Sequence, residues 1–377
     1  MTPVELSRTV LRAVRRAVDD GELSVVVPPR AVVTVPGPGG CGDYATNIAL
    51  QLARPAGQPP QRVAEVLRPY LLGAAGVRDV VVTGPGFLNF SLEGARAAQG
   101  SVALVSEILR SRGRARGWGQ SGVRSRRGGG YGWVDRPTGQ VVQLHAPHEV
   151  RAVVVMDVVA RVLRSQGALV RTSCVARPER EWTEVLGVEV DAYGTPDAPA
   201  PLEVNVRPVP AAPADPVSLG RDAGRWALLH PAAHDRPRIT SEYLSQREGN
   251  PLFRVRYAHA RTRALSRNAA DLGFDARPGV VQDVIQDVIQ DVRALETALA
   301  DHPRILAAVA TRHAPDRLAR HLLAVADAVT PLLPTVLPRG EEKPSAAHRA
   351  RLALAEAAGT VLAGGLSLLG IDAPDHL

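Results

Sequence analysis

The chain of 377 residues has room for two or three domains and a sizeable core. Hydrophobic residues make up 45% and charged residues 22%, a balance that excludes a disordered chain. Basic residues outnumber acidic ones 45 to 38, for a net charge of +7. Lys343 is the only lysine, so the basic side chains are otherwise all arginine. Arginine suits bidentate phosphate contacts and admits a nucleic-acid partner, although a GC-rich coding sequence gives the same bias. Cys41 and Cys174 stand far apart with no CxxC or neighbouring histidine, which argues against a zinc site or a disulfide framework and fits a reducing cytoplasm. The apolar stretch Val153 to Ala160 is broken by Asp157 and is too short for a bilayer, so no membrane partner is expected.

In chain order, Val4, Leu11, Val14 and Val18 predict an amphipathic helix over 3–20, with arginines where a signal peptide would be apolar. A strand is expected at Ala31 to Val35, then a Gly/Pro turn, a helix from about Tyr44 and a second helix opened by Pro59-Pro60. VRDVVVTG and GFLNFSL read as two strands around Gly84-Pro85-Gly86, completing a small α/β module. Residues 94–110 read as a helix. The following stretch, 111–133, holds six arginines and eight glycines and reads as a solvated linker or a phosphate-contacting loop.

Order returns with a strand expected to end at WVDRPTG, a helix from about Glu149 to Gln166 closed by Gly167, and a strand at ALVRTSCV, which together make one βαβ unit. Residues 194–216 contain seven prolines and allow neither a helix nor a central strand. From Asn250, a candidate cap before Pro251, the pattern is helical almost throughout. Leu318, Leu322, Val325 and Val329 mark one apolar face. Leu352, Ala355, Leu362, Leu366 and Leu369 mark another. QDVIQDVIQDV (282–292) repeats every four residues, so its apolar stripe drifts round a helix with no chemistry implied.

Three collinear stretches carry a family resemblance. GDYATNIALQLARPAGQPPQRVAEVL (42–67) with GPGFLNFSL (84–92), GNPLFRVRYAHARTRAL (249–265), and PDRLARHLLAVADAV (315–329) with RLALAEAAGTVLAGGLSLLGIDAP (351–374) resemble arginyl-tRNA synthetase, a class I aminoacyl-tRNA synthetase. The resemblance implies an α/β plus all-α architecture. A small α/β N-terminal tRNA-binding module spans 1–110 and a Gly/Arg-rich linker 111–130. A reduced Rossmann-like remnant spans 131–248 with its Pro-rich loop at 194–216, and a helical bundle of the DALR anticodon-binding type spans 249–377.

The middle matches the family less well. VDRPTG (134–139) resembles the turn before the HIGH-type signature, but the sequence that follows is QLHAPHEV. His145 and His148 keep an H-x-x-H spacing with Ala146-Pro147 where the family has a small residue and glycine. Aligning on Arg151, Asp157 and Arg161 instead puts Ala146 in the first histidine position. The family's glycine lets the backbone approach adenine, whereas proline removes an N–H and fixes φ, so the imidazoles are expected to point elsewhere. No KMSK-like string exists, and the interval from about Val190 to Arg225 is too short for the rest of the family's catalytic domain; GRDAGRWALLH (220–230) resembles the sequence beyond it.

Three functions compete. A tRNA-binding protein without aminoacylation would use Tyr257, Arg256, His259 and Arg261 near the anticodon arm by resemblance, and Asn89 and Phe87 near the tRNA corner. Arg254 and Arg263 extend the basic cluster on the junction helix. Against these stand ordinary packing for Tyr257, core packing for Phe87, a solvated face for the arginines and plain turn roles for His145 and His148. A divergent active arginine–tRNA ligase would need ATP and Mg. A protein-interaction scaffold would need neither. A reduced sheet leaves edges for the Pro-rich segment, a homodimer or a partner protein to cover.

Overall fold

The computed structural model describes residues 3–34, 36–37, 41–92, 94–115, 130–134, 136–194, 203–281 and 286–377. The chain divides into two compact units, Met1–Leu104 and Val105–Leu377.

In the first unit, helix α1 (Pro3–Asp19) is followed by strands β1 (Val33–Thr34) and β2 (Tyr44–Thr46), helices α2 (Ile48–Ala56) and α3 (Pro60–Leu72), and strands β3 (Val77–Thr83) and β4 (Phe87–Leu92). The strands form an antiparallel sheet in the order β1-β2-β4-β3. Leu6, Val10 and Val14 of α1 meet Ile48, Leu52, Leu67 and Leu71 of the other helices and Val80, Leu88 and Phe90 of the sheet in one core. The helix expected from Tyr44 begins instead at Ile48. Tyr44, Ala45 and Thr46 pair with Phe90, Asn89 and Leu88, and cross-strand pairing outweighs the helical pattern there. The β3–β4 turn needs glycine at Gly86, whose φ is +125° and where a Cβ would lie 2.9 Å from the Pro60 carbonyl.

Helix α4 (Gly94–Ala115) extends five residues into the expected linker, and residues 116–129 lie outside the described residues. The second unit continues with β5 (Val141–Ala146), α5 (Val150–Ser165), β6 (Leu169–Cys174), α6 (Arg180–Glu184), β7 (Ala192–Tyr193) and β8 (Glu203–Asn205). Residues 133–134 and 136–139 of WVDRPTG are not in a strand. Pro137 and Gly139 keep them irregular, and Val134 N–H and Thr138 N–H bond to the end of α5 and Gly167 instead of a neighbouring strand. All four strands are parallel, in the order β7-β6-β5-β8. Numbered within this sheet the order is 3-2-1-4, the first four strands of the doubly wound nucleotide-binding order. The Pro-rich segment supplies β8, which pairs along the edge of β5, while residues 195–202 lie outside the described residues.

Helices α7 (Gly220–Leu229), α8 (Pro251–Asp271), α9 (Gln286–Arg312), α10 (Asp316–Val329) and α11 (Ala346–Leu369) complete the unit; residues 282–285 of the four-residue repeat lie outside the described residues. The expected faces of α10 and α11 are buried. Helix α11, unlike the Val153–Ala160 stretch, is long and apolar enough to cross a membrane by length and composition, but most of it is buried inside the protein, as in a core helix.

A buried ion pair fastens α5, α7 and α11. Arg225 donates to Asp157 at 2.6 Å, to Leu369 O at 2.7 Å and to Leu186 O at 2.9 Å, and Arg161 donates to the same carboxylate at 3.1 Å. Gly370, at φ +72°, closes α11 against this arginine, and a Cβ there would lie 2.5 Å from its guanidinium. A buried histidine pair joins α9 to α10, the rings of His302 and His321 stacking 5.2 Å apart, with Tyr131 stacked on the outer face of His302 at 6.0 Å.

Candidate functional site

In an open parallel sheet the ligand crevice lies outside the carboxyl ends of the strands, where the strand order reverses. Here that point is the end of β5, between β6 and β8, followed by the turn Pro147–Glu149 into α5. The chain fills this position with its own groups. Glu149 caps α5, its carboxylate accepting from Arg151 N–H at 3.0 Å and Ala152 N–H at 2.9 Å. An anion at a helix N-terminus is stabilised by those unpaired N–H groups and the helix dipole, and a carboxylate already fills that role.

Arg151 is 1% exposed and faces inward. Its Nε bonds Leu228 O at 3.0 Å, its Nη1 bonds Val209 O and Asp235 O, and its Nη2 bonds Pro231 O and Ala232 O. Guanidinium has five N–H donors, and five carbonyls take them, leaving none for a phosphate. Burial lowers the Arg151 pKa, with Glu149 and Asp235 opposing the shift.

The two histidines of the damaged signature have separate partners. His145 is buried on β5, its Nδ1 2.8 Å from Ser173 Oγ on β6. His148 places Nε2 3.0 Å from Arg177 O and 3.6 Å from Glu179, with its ring tilted against Trp182 at 4.9 Å. Neither the residues at this turn nor their partners suit a magnesium-bound triphosphate. Among the described residues, no group of three or more His, Cys, Asp or Glu side chains is arranged to hold a metal ion.

The RNA-facing candidates separate by burial. Asn250 caps α8, accepting from Leu252 N–H at 3.1 Å and donating to Tyr243 O and Ser245 O, which fixes where the helix starts. Tyr257 is 40% exposed and stacks on Phe253 at 5.6 Å, one turn earlier. Arg261, one turn later, is exposed and makes no ion pair among the described residues. Phe253, Tyr257 and Arg261 thus form one stripe at i, i+4 and i+8.

The rest of the basic cluster is already paired. Arg254 bonds Asp327, Arg256 lies 3.4 Å from Asp222, and Arg263 donates to Asp375 at 2.9 Å. His259 is 3% exposed, with Nδ1 3.0 Å from Pro374 O, and burial lowers its pKa. Its position toward α11 and the following segment takes it off the surface where an anticodon contact was expected.

On β4 the expected order is reversed. Phe87 is 40% exposed, whereas Asn89 is 2% exposed and holds the turn, donating to Thr83 Oγ1 at 2.7 Å and Val81 O at 3.2 Å and accepting from Cys41 N–H at 3.3 Å. Glu149, Arg151 and Phe253 were not picked out as site residues. Glu149 carries no signal beyond an acid before an apolar helix and Arg151 only its match to the family's helix, while Phe253 is marked by its i, i+4 spacing to Tyr257.

Residues 5–92 match the model of the arginyl tRNA synthetase N terminal domain, and residues 255–377 match that of the DALR anticodon binding domain. Both ends of the chain are domains of the arginyl-tRNA synthetase family. Among the family's curated members, the arginine–tRNA ligase of Frankia alni is 48% identical over 94 residues, 25% of this chain and 17% of its own length. That of Renibacterium salmoninarum is 39% identical over 184 residues, 45% of this chain and 30% of its own length. The chain therefore aligns with less than a third of either relative. The fold resembles solved arginyl-tRNA synthetases from Thermus thermophilus (TM-score 0.67, 16% identity, 100% of each chain covered) and Plasmodium falciparum (TM-score 0.64, 9% identity, 100% of this chain and 99% of the other).

Proposed function

We propose that this chain binds tRNA through its two end domains and does not form arginyl-adenylate. The observation that carries the reading is the self-filled β5–α5 turn. Glu149 holds the helix N-terminus, Pro147 stands where close backbone approach is needed, and Arg151 has no donor left. A triphosphate arriving there would meet a carboxylate and would have to break several internal hydrogen bonds. The Tyr257–Arg261 stripe on α8 and the exposed Phe87 offer stacking and phosphate contact of the kind single-stranded RNA bases need. The place of action in this reading is the cytoplasm, and the process served is translation or its regulation.

A ligase reading is favoured by the name that the relatives share, and it requires ATP, Mg and arginine at the same turn. Titrating fluorescent tRNA with the full chain at two salt concentrations tests the binding half of the proposal. Saturable binding that weakens steeply with salt is expected. Absence of binding at low salt contradicts it and moves the weight to a protein scaffold.

A further inference from the structure

We propose that the arginine face of α1 is a separate contact surface for an RNA phosphate backbone; the inference rests on the reading that the chain binds tRNA. Leu6, Val10, Ala13, Val14 and Ala17 put one side of α1 into the core of its unit. Arg8, Arg12, Arg15 and Arg16 are exposed, and at 3.6 residues per turn they fall within an arc of roughly 100° on the opposite side. They span about 12 Å along the axis.

Arg12 has only arginines as charged neighbours one turn away, whereas Arg8 also stands three residues from Glu5, Arg15 four from Asp19, and Arg16 three and four from Asp19 and Asp20. Arg8 and Arg12, and Arg12 and Arg16, stand at i, i+4, while Arg12 and Arg15 stand at i, i+3, spacings at which like charges destabilise a helix. Among the described residues none of the four is in an ion pair. Arg12 donates to Thr9 Oγ1 at 3.1 Å, and the Arg16 guanidinium lies 6.0 Å over the Tyr70 ring, whose hydroxyl donates to Asp20. The acids Glu5, Asp19 and Asp20 lie toward the two ends of the stripe. Elsewhere in the unit Arg62 pairs with Glu65 at 3.4 Å and Arg68 with Asp79 at 4.0 Å, while Arg30, Arg54 and Arg78 make no ion pair among the described residues. A polyanion relieves the repulsion that α1 carries alone, and a row of guanidinium groups meets closely spaced phosphates in bidentate fashion. An anionic membrane fits less well, because a surface-bound helix must insert an apolar face, and that of α1 is already buried.

The test uses the full chain, with Arg12→Gln/Arg15→Gln as the double variant. Its affinity for tRNA by fluorescence anisotropy is expected to fall about tenfold at roughly 100 mM salt, and the slope of log affinity against log salt to become shallower by about two. The melting temperature of the free chain is expected to rise by about 2 °C, because like-charge pairs are removed. If the wild-type chain binds tRNA and the variant matches it in affinity and slope, the inference fails and the tRNA reading stands. If the wild-type chain does not bind tRNA, both fail. A variant that loses binding and also melts lower assigns these arginines to folding and overturns the inference. So does loss of binding to phosphatidylserine vesicles with tRNA affinity intact.

Discussion

Arg151 and Arg261 are the same residue type with opposite fates, and the difference is decided by partners, not by charge. Arg151 lies within a shell of carbonyls, so Arg151→Ala leaves buried acceptors unpaired and is expected to destabilise the chain by about 3 kcal/mol or more, read by denaturant unfolding. Arg261 faces solvent without an acid, so Arg261→Glu is expected to leave stability within about 0.5 kcal/mol and to weaken tRNA binding roughly tenfold, with a shallower salt slope. The same reversal at Arg263 would break its pair with Asp375, so a greater loss of tRNA affinity there than at Arg261 would contradict the assignment.

The histidine pair makes its own prediction at this scale. Burial and the neighbouring His321 push His302 well below the ordinary histidine range. His321 is lowered to about 4 by burial, against the pull of Asp301 and with some help from Arg304. Among the described residues, His302 Nδ1 and His321 Nε2 have no hydrogen-bond acceptor to stabilise an added proton. In the unfolded chain both titrate near 6.5, so from pH 6.5 down to about 4 the unfolded state binds more protons and stability falls as pH falls. For His321 alone the loss reaches about 3 kcal/mol near pH 4. His321→Leu should flatten melting temperature against pH over this window, and an unchanged slope would show that other groups set it.

At the scale of elements, what was legible depended on whether the signal was local. The apolar faces of α10 and α11, the Pro60 start of α3 and the Asn250 cap of α8 are written in short-range spacing, and the structure has them. Asn250→Ala is expected to cost about 1–2 kcal/mol, seen in thermal unfolding, since it removes a cap and two bonds to the preceding turn. Tyr44–Thr46 and β8 escaped because their strands are specified by a partner far away in sequence, β4 in one case and β5 in the other. The site was legible as residue types but not as geometry. His259 and Asn89 lie within segments resembling the family yet point inward, while Tyr257 and Phe87 are exposed. Tyr257→Ala is expected to weaken tRNA binding about tenfold or more if it stacks on a base.

In chain order, two end domains of the arginyl-tRNA synthetase family stand on either side of a four-stranded parallel sheet whose switch-point turn is capped by Glu149 and braced by the buried Arg151. The strand order belongs to a nucleotide-binding fold, but the chemistry at its switch point favours internal cohesion. In the proposed reading, end domains that hold tRNA and a turn filled by Glu149 and Arg151 suit a binding protein and leave a ligase without its nucleotide site. The central claim is tested most directly by ATP–pyrophosphate exchange with arginine, with and without tRNA, on chain already shown to bind tRNA. The account predicts exchange at background in both conditions. Exchange that rises above background when tRNA is added would contradict it, and would mean that Glu149 and Arg151 give up their present partners when the nucleotide binds.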